Sequence, residues 1–76
     1  MQVFNILLES INDVKEFVSI VSRYEFDIDL ISGRYIVDAK SIMGIFSLNL
    51  SKPIRVEAHC ESNDAFIAEM QKYIVD

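Results

Sequence analysis

The chain opens with an apolar run, Val3, Phe4, Ile6, Leu7 and Leu8, that predicts a first strand. The period then lengthens. Ile11, Val14, Phe17, Val18, Val21 and Tyr24 recur at helical spacing, with Asn12, Lys15, Glu16, Ser19 and Arg23 on the other side. This is the pattern of an amphipathic helix of about four turns. Ser10 stands at its N-cap, where a hydroxyl oxygen accepts a bond from an orphan amide. Asp13 falls in the first turn, where an acid suits the helix dipole.

Next the period drops to two. Phe26, Ile28 and Leu30 alternate with Asp27 and Asp29, the mark of a half-buried strand. Ser32-Gly33 signals a turn, and Tyr35-Ile36-Val37 follows as the second arm of a hairpin. Ser41 is placed to cap a short helix through Ile42, Met43, Ile45 and Phe46. Gly44 costs such a helix about 1 kcal/mol against Ala, so something other than propensity holds it there. Lys52-Pro53 breaks the chain before Ile54, Val56 and Ala58, which alternate with Arg55 and Glu57 as a fourth strand. Ser62 then caps a last helix, with Ala65, Phe66, Met70, Tyr73 and Ile74 on its apolar side. The order β-α-β-β-α-β-α predicts an α+β open-faced β-sandwich. Its four-stranded antiparallel sheet has the helices on one face.

Composition narrows the function. With 76 residues, positions 1–76 make a single domain. Seven basic against twelve acidic residues leave a net charge of −5, which argues against nucleic acid and anionic membrane surfaces as partners. No stretch approaches the roughly 18 apolar residues of a membrane-spanning helix. Met1-Gln2-Val3-Phe4-Asn5 lacks the basic region and cleavage site of a signal peptide. Together with the lone Cys60 this points to the reducing cytoplasm. No metal-spaced His/Cys set, phosphate loop or nucleophile elbow occurs, so no cofactor or metal is expected, and no enzymatic activity.

One segment carries a family signature. Ala39-Lys40-Ser41-Ile42-Met43-Gly44-Ile45-Phe46-Ser47-Leu48 resembles the stretch around the regulatory serine of HPr, the histidine phosphocarrier of the bacterial sugar phosphotransferase system. Arg23-Tyr24, the Asp-rich strand from Phe26 to Leu30, Asn63-Asp64-Ala65 and the element order are similar to the family as well. The resemblance implies a sheet with three helices. It also implies phosphorylation of Ser41 by a serine kinase, and Ile42, Met43 and Phe46 as a patch for protein partners of the phosphotransferase or carbon-regulation type. The oligomeric state stays open.

The phosphocarrier motif of the family, roughly Gly-Ile-His-Ala-Arg-Pro-Ala, is not kept. Counting back without gaps from Ser41, Ser10 stands at the histidine's position, Asn12 at the arginine's and Asp13 at the proline's. A serine ester is too stable for a relay. Glu9 and Asp13 put negative charge beside the site, and the counter-charge of the arginine is missing. The expectation is therefore a docking or regulatory module without His phosphotransfer. Two alternatives stand beside it: a phosphocarrier with an unusual acceptor, and a small α+β interaction domain unrelated to sugar transport. Each residue also has a plainer role: Ser10 and Ser41 as caps, Ile42, Met43 and Phe46 as core, Glu9 and Asp13 as a solvated first-turn pair. Asp27 and Asp29 form a solvent face. His59 and Cys60, neighbours near the end of a strand, point to opposite faces and make no catalytic dyad.

Overall fold

The computed structural model describes residues 1–75 and turns these periods into eight elements. They are β1 (Gln2–Ile6), α1 (Ile11–Val21), β2 (Ile28–Ser32), β3 (Tyr35–Asp38), α2 (Ile42–Phe46), β4 (Ile54–Ala58), α3 (Asp64–Met70) and β5 (Ile74–Val75). The sheet is antiparallel throughout, in the order β3-β2-β4-β1-β5. One face is the core. Ile6, Ile28, Leu30, Ile54, Val56 and Ala58 from the strands close on Val14, Phe17, Val21, Ile45, Phe66 and Met70 from the helices. The alternation of each strand sends Val3, Asn5 and Arg55 to the other face, which is exposed.

Five strands replace the expected four. Tyr73 and Ile74 do not continue the apolar side of α3, because that helix ends at Met70. The chain turns there and extends, and β5 pairs Ile74 with Ile6 and Val75 with Asn5. Leu7 N–H adds a bond to the Tyr73 carbonyl at 2.9 Å. This satisfies backbone groups on the outer edge of β1, beside the buried Ile6, that would otherwise lack protein partners. Helical spacing placed Tyr73 correctly in the core but for the wrong reason. Its ring meets Phe17 edge-on at 5.8 Å from a turn rather than a helix.

Two boundaries also move. Asn63, not Ser62, caps α3, its side-chain oxygen accepting from Phe66 N–H at 3.0 Å. Ala65 is exposed. The first helix stops at Val21, a turn short of Tyr24. Tyr24 still reaches the core, as part of an aromatic group: Phe66 stands edge-on to Tyr24 at 5.2 Å and to Phe26 at 5.3 Å. Arg23 reaches Glu69 of α3 at 2.6 Å, and the Tyr24 hydroxyl donates to the same carboxylate. That bond raises the Tyr24 pKa. The end of α1 is thus tied to α3.

Candidate functional site: the α1 N-terminus and the Ser41 segment

Ser10 is extended and exposed, and its Oγ accepts from Asp13 N–H at 3.0 Å. The Asp13 carboxylate returns to accept from Glu9 N–H, also at 3.0 Å. Both residues therefore serve the helix start, a reciprocal cap displaced by one residue from the usual box. Beside them lies an open hollow of about 350 Å³, lined by Leu8, Glu9, Ser10, Ile11, Leu50 and Ser51. Its charged residue is acidic; no Lys or Arg lines it. Asn12 is exposed one turn-position further on.

Ile11 was expected on the buried face of α1 but is 63% exposed. It is the first helical residue, and a helical side chain leans toward the N-terminus, so it passes the helix end instead of meeting the sheet. Periodicity could not show this; position within the helix could. Ile11 and Leu50 together give the hollow an apolar rim, and neither was singled out as a site residue.

Ser41 caps α2, its Oγ accepting from Gly44 N–H at 3.3 Å, and it too is exposed. The five residues of α2 divide sharply. Ile45 is fully buried and Ile42 packs partly against the core. Met43 is 76% exposed and Phe46 is 39% exposed. Of the three expected patch residues, Met43 and Phe46 face solvent and Ile42 divides its surface between solvent and core. Gly44 is explained by proximity: a Cβ there would lie 3.3 Å from Val37 Cβ and from Ser41 Oγ.

Lys40, next to Ser41, is engaged elsewhere. Its Nζ donates to the carbonyls of Tyr24 at 2.7 Å and Phe26 at 3.0 Å. It pins the α1–β2 loop to the β3–α2 turn and is not a free cation for a phosphate. Sequence gave no sign of this, since the partners are backbone carbonyls.

His59 and Cys60 were expected within a strand, but β4 ends at Ala58 and both lie just beyond it, so strand alternation does not set their directions. Cys60 packs toward the core, while His59 is exposed and its Nε2 lies 2.9 Å from Asp29 Oδ2. A second hollow, of about 310 Å³, is lined there by Asp27, Ile28, Asp29, Asp38 and His59, and it shares no residue with the one at Ser10. Among the described residues no group of three or more His, Cys, Asp or Glu could hold a metal ion. No helix among them is long and apolar enough to cross a membrane.

An antiparallel sheet with three helices on one face is the HPr-like fold, here with a fifth, two-residue strand at its edge. The family model described as the PTS HPr component phosphorylation site matches residues 12–76. The chain belongs to the PTS-HPr family, whose members are phosphocarriers of the phosphotransferase system. Solved structures share the fold. HPr-C-His from Thermoanaerobacter tengcongensis superposes with a TM-score of 0.78 at 24% identity, over 95% of this chain and 89% of that one. The phosphocarrier protein HPr from Bacillus anthracis str. Ames gives 0.73 at 20% identity, over 97% and 96%. The histidine-containing phosphocarrier protein of Mycoplasma gives 0.73 at 16% identity, over 93% and 89%. A search of curated proteins found no significant match.

Proposed function

We propose that this chain is a regulatory or docking member of the PTS-HPr family that does not relay phosphate through histidine, with Ser41 as its switch. The observation that carries this reading is the chemistry at the start of α1. Ser10, which a gap-free count from Ser41 puts at the family's histidine, has its Oγ engaged by Asp13 N–H, and Glu9 lines the adjoining hollow with no Lys or Arg. An incoming phosphoryl group would meet like charge there without a counter-ion. Asn12 in place of the family's arginine supplies none.

The Ser41 side supports the docking half. Ser41 is exposed, and Met43 and Phe46 on the same short helix leave apolar surface open beside it. Met adapts to partners of differing shape, and exposed apolar clusters on small domains mark interaction sites. Phosphorylation would place a dianion next to that patch and withdraw Oγ from the Gly44 amide, altering both charge and local geometry. The partners that fit are proteins of the phosphotransferase or carbon-regulation type. This role requires no enzymatic step, cofactor or metal, and neither nucleic acid nor membrane.

Intact-mass phosphorylation tests it under two conditions: phosphoenolpyruvate with the general phosphotransferase enzyme, and ATP with the family's serine kinase. Phosphate from ATP alone, absent in Ser41→Ala, is the expected result. Acid-labile phosphate from phosphoenolpyruvate would overturn the proposal and direct attention to His59, the only histidine of the chain.

A further inference from the structure

We propose that β3 is a self-pairing edge, through which two copies of this chain join their sheets antiparallel about Ile36. The inference is independent of the phosphotransfer question and starts from the hairpin. Gly33 has φ of 61° and no other described residue has positive φ, so the two-residue connection Gly33-Arg34 is a type II′ turn. In such a hairpin the flanking Ser32 and Tyr35 exchange hydrogen bonds. The alternation then makes Leu30–Val37 a bonded pair and leaves Ile31–Ile36 an unbonded one. The N–H and C=O of Ile36 consequently point out of the sheet, at an edge that no other strand covers.

This edge is short and ends on the charged Asp38, but it lacks the other usual protections. It holds no Pro and no Lys, and its register with β2 runs without a bulge. Tyr35 is 70% exposed and Ile36 67% exposed, both residue types that favour strands. By contrast, the opposite edge, β5, is only two residues long.

The sequence around Ile36 is complementary to itself when reversed. With Ile36 opposite Ile36 of the second copy, Arg34 falls opposite Asp38 of that copy and Asp38 opposite its Arg34. Tyr35 meets Val37 on the other face. Ile36 and Asp38 share a face by alternation, and the long side chain of Arg34, in the turn just before β3, would reach along that edge to the second copy's Asp38, so two ion pairs would flank an Ile–Ile contact. A net charge of −5 on each copy opposes association, which makes these two local pairs the feature that selects a second copy over an arbitrary acidic strand. An edge this short gives a weak, concentration-dependent dimer.

Sedimentation of the full chain at rising concentration is the test. The average mass should climb from 8.7 kDa toward twice that value. Arg34→Asp sets like charges across both pairs and should hold the mass at 8.7 kDa, and so should Ile36→Lys. An equal mixture of Arg34→Asp and Asp38→Arg restores both pairs in the heterodimer and should associate again. Asp38 Oδ1 accepts from Lys40 N–H at 2.8 Å, so circular dichroism must first show that Asp38→Arg folds. If it does not, the two single variants still decide. Hydrogen exchange gives a second reading: the Ile36 amide should slow with concentration, while the Val37 amide, bonded to β2, should not change. A monomer at every concentration overturns the proposal. So does self-association indifferent to Arg34→Asp, or protection of Ile36 that only an added foreign peptide produces.

Discussion

The Oγ of Ser41 accepts from the Gly44 amide at 3.3 Å, and a Cβ built on Gly44 would lie 3.3 Å from that same oxygen. Cap and glycine are therefore one device. Ala at 44 would gain about 1 kcal/mol of helix propensity, but it would crowd Ser41 Oγ and Val37 Cβ, the latter fixed to a strand. Gly44→Ala is expected to lower stability by about 1 kcal/mol net, and Ser41→Ala by about 1 kcal/mol through the lost cap. The double variant should lose about 0.5 kcal/mol less than the sum, since one of the two crowded contacts has gone. Urea denaturation of the four proteins checks this, and strict additivity would show that cap and glycine act separately.

Lys40 is expected to matter for stability rather than for phosphate binding. Its two bonds to Tyr24 and Phe26 carbonyls are charge-assisted, and Met in its place keeps the stem but supplies no donor. Lys40→Met should cost about 1–3 kcal/mol, seen as a lower urea midpoint with an unchanged slope. Faster amide exchange should appear in residues 22–27, the loop it pins. Phosphorylation of Ser41 should persist in the variant, because Nζ is engaged by the Tyr24 and Phe26 carbonyls.

Tyr73 and Glu16 set the expected response to pH. The Tyr73 hydroxyl donates to Glu16 Oε1 at 2.7 Å, and Lys72 pairs with the same carboxylate. Burial, followed by the bond to Glu16, pushes the Tyr73 pKa well above its ordinary 10.0. The group is an acid whose folded pKa is raised, so its stabilising effect is full below 10.0 and disappears as pH rises through and beyond that value. Glu16 behaves in the opposite sense. The bond from Lys72, then that from Tyr73, lowers its pKa below 4.5, so its contribution is present above 4.5 and fades as pH falls. Tyr73→Phe should flatten the alkaline limb of the stability–pH curve and Glu16→Gln the acid limb. An alkaline limb equally steep in Tyr73→Phe would assign it to another group.

Residues with a strict period were legible in the sequence. The alternation of Ile28 and Leu30, and of Ile54, Val56 and Ala58, was read correctly because one face of each strand must be buried. Ser10 and Ser41 were read as caps because short polar side chains before apolar runs have few other uses. The larger misses are set by tertiary contacts. β5 forms only because β1 leaves an edge open beside it, and a two-residue strand has no period of its own. Tyr24 lies beyond α1 yet keeps helical phase, since Phe66 and Glu69 on α3 hold its ring and hydroxyl. At the candidate site, the residue types at 10, 12 and 41 could be read directly. The exposure of Ile11 follows from its place as the first helical residue, which periodicity alone does not weigh, and the engagement of Lys40 could not be read, because its partners are backbone carbonyls of another loop.

Met43 separates docking from folding. It is 76% exposed on a helix whose neighbours Ile42 and Ile45 hold the core, so Met43→Lys should change stability by no more than about 0.5 kcal/mol. If the patch beside Ser41 is the docking surface, the same change removes an apolar anchor and buries an unpaired ammonium at the contact. Affinity for the general phosphotransferase enzyme, measured by calorimetry, should fall about tenfold or more. Phe46→Ala should weaken binding too, but at 39% exposure much of that side chain is already removed from water, so a modest loss of stability accompanies it. Ile36→Lys, at a comparably exposed site on β3, should leave this affinity unchanged. Affinity lost equally in Met43→Lys and Ile36→Lys would point to a general charge effect. Affinity untouched by Met43→Lys would remove the patch from the interface and leave Met43 merely a surface methionine.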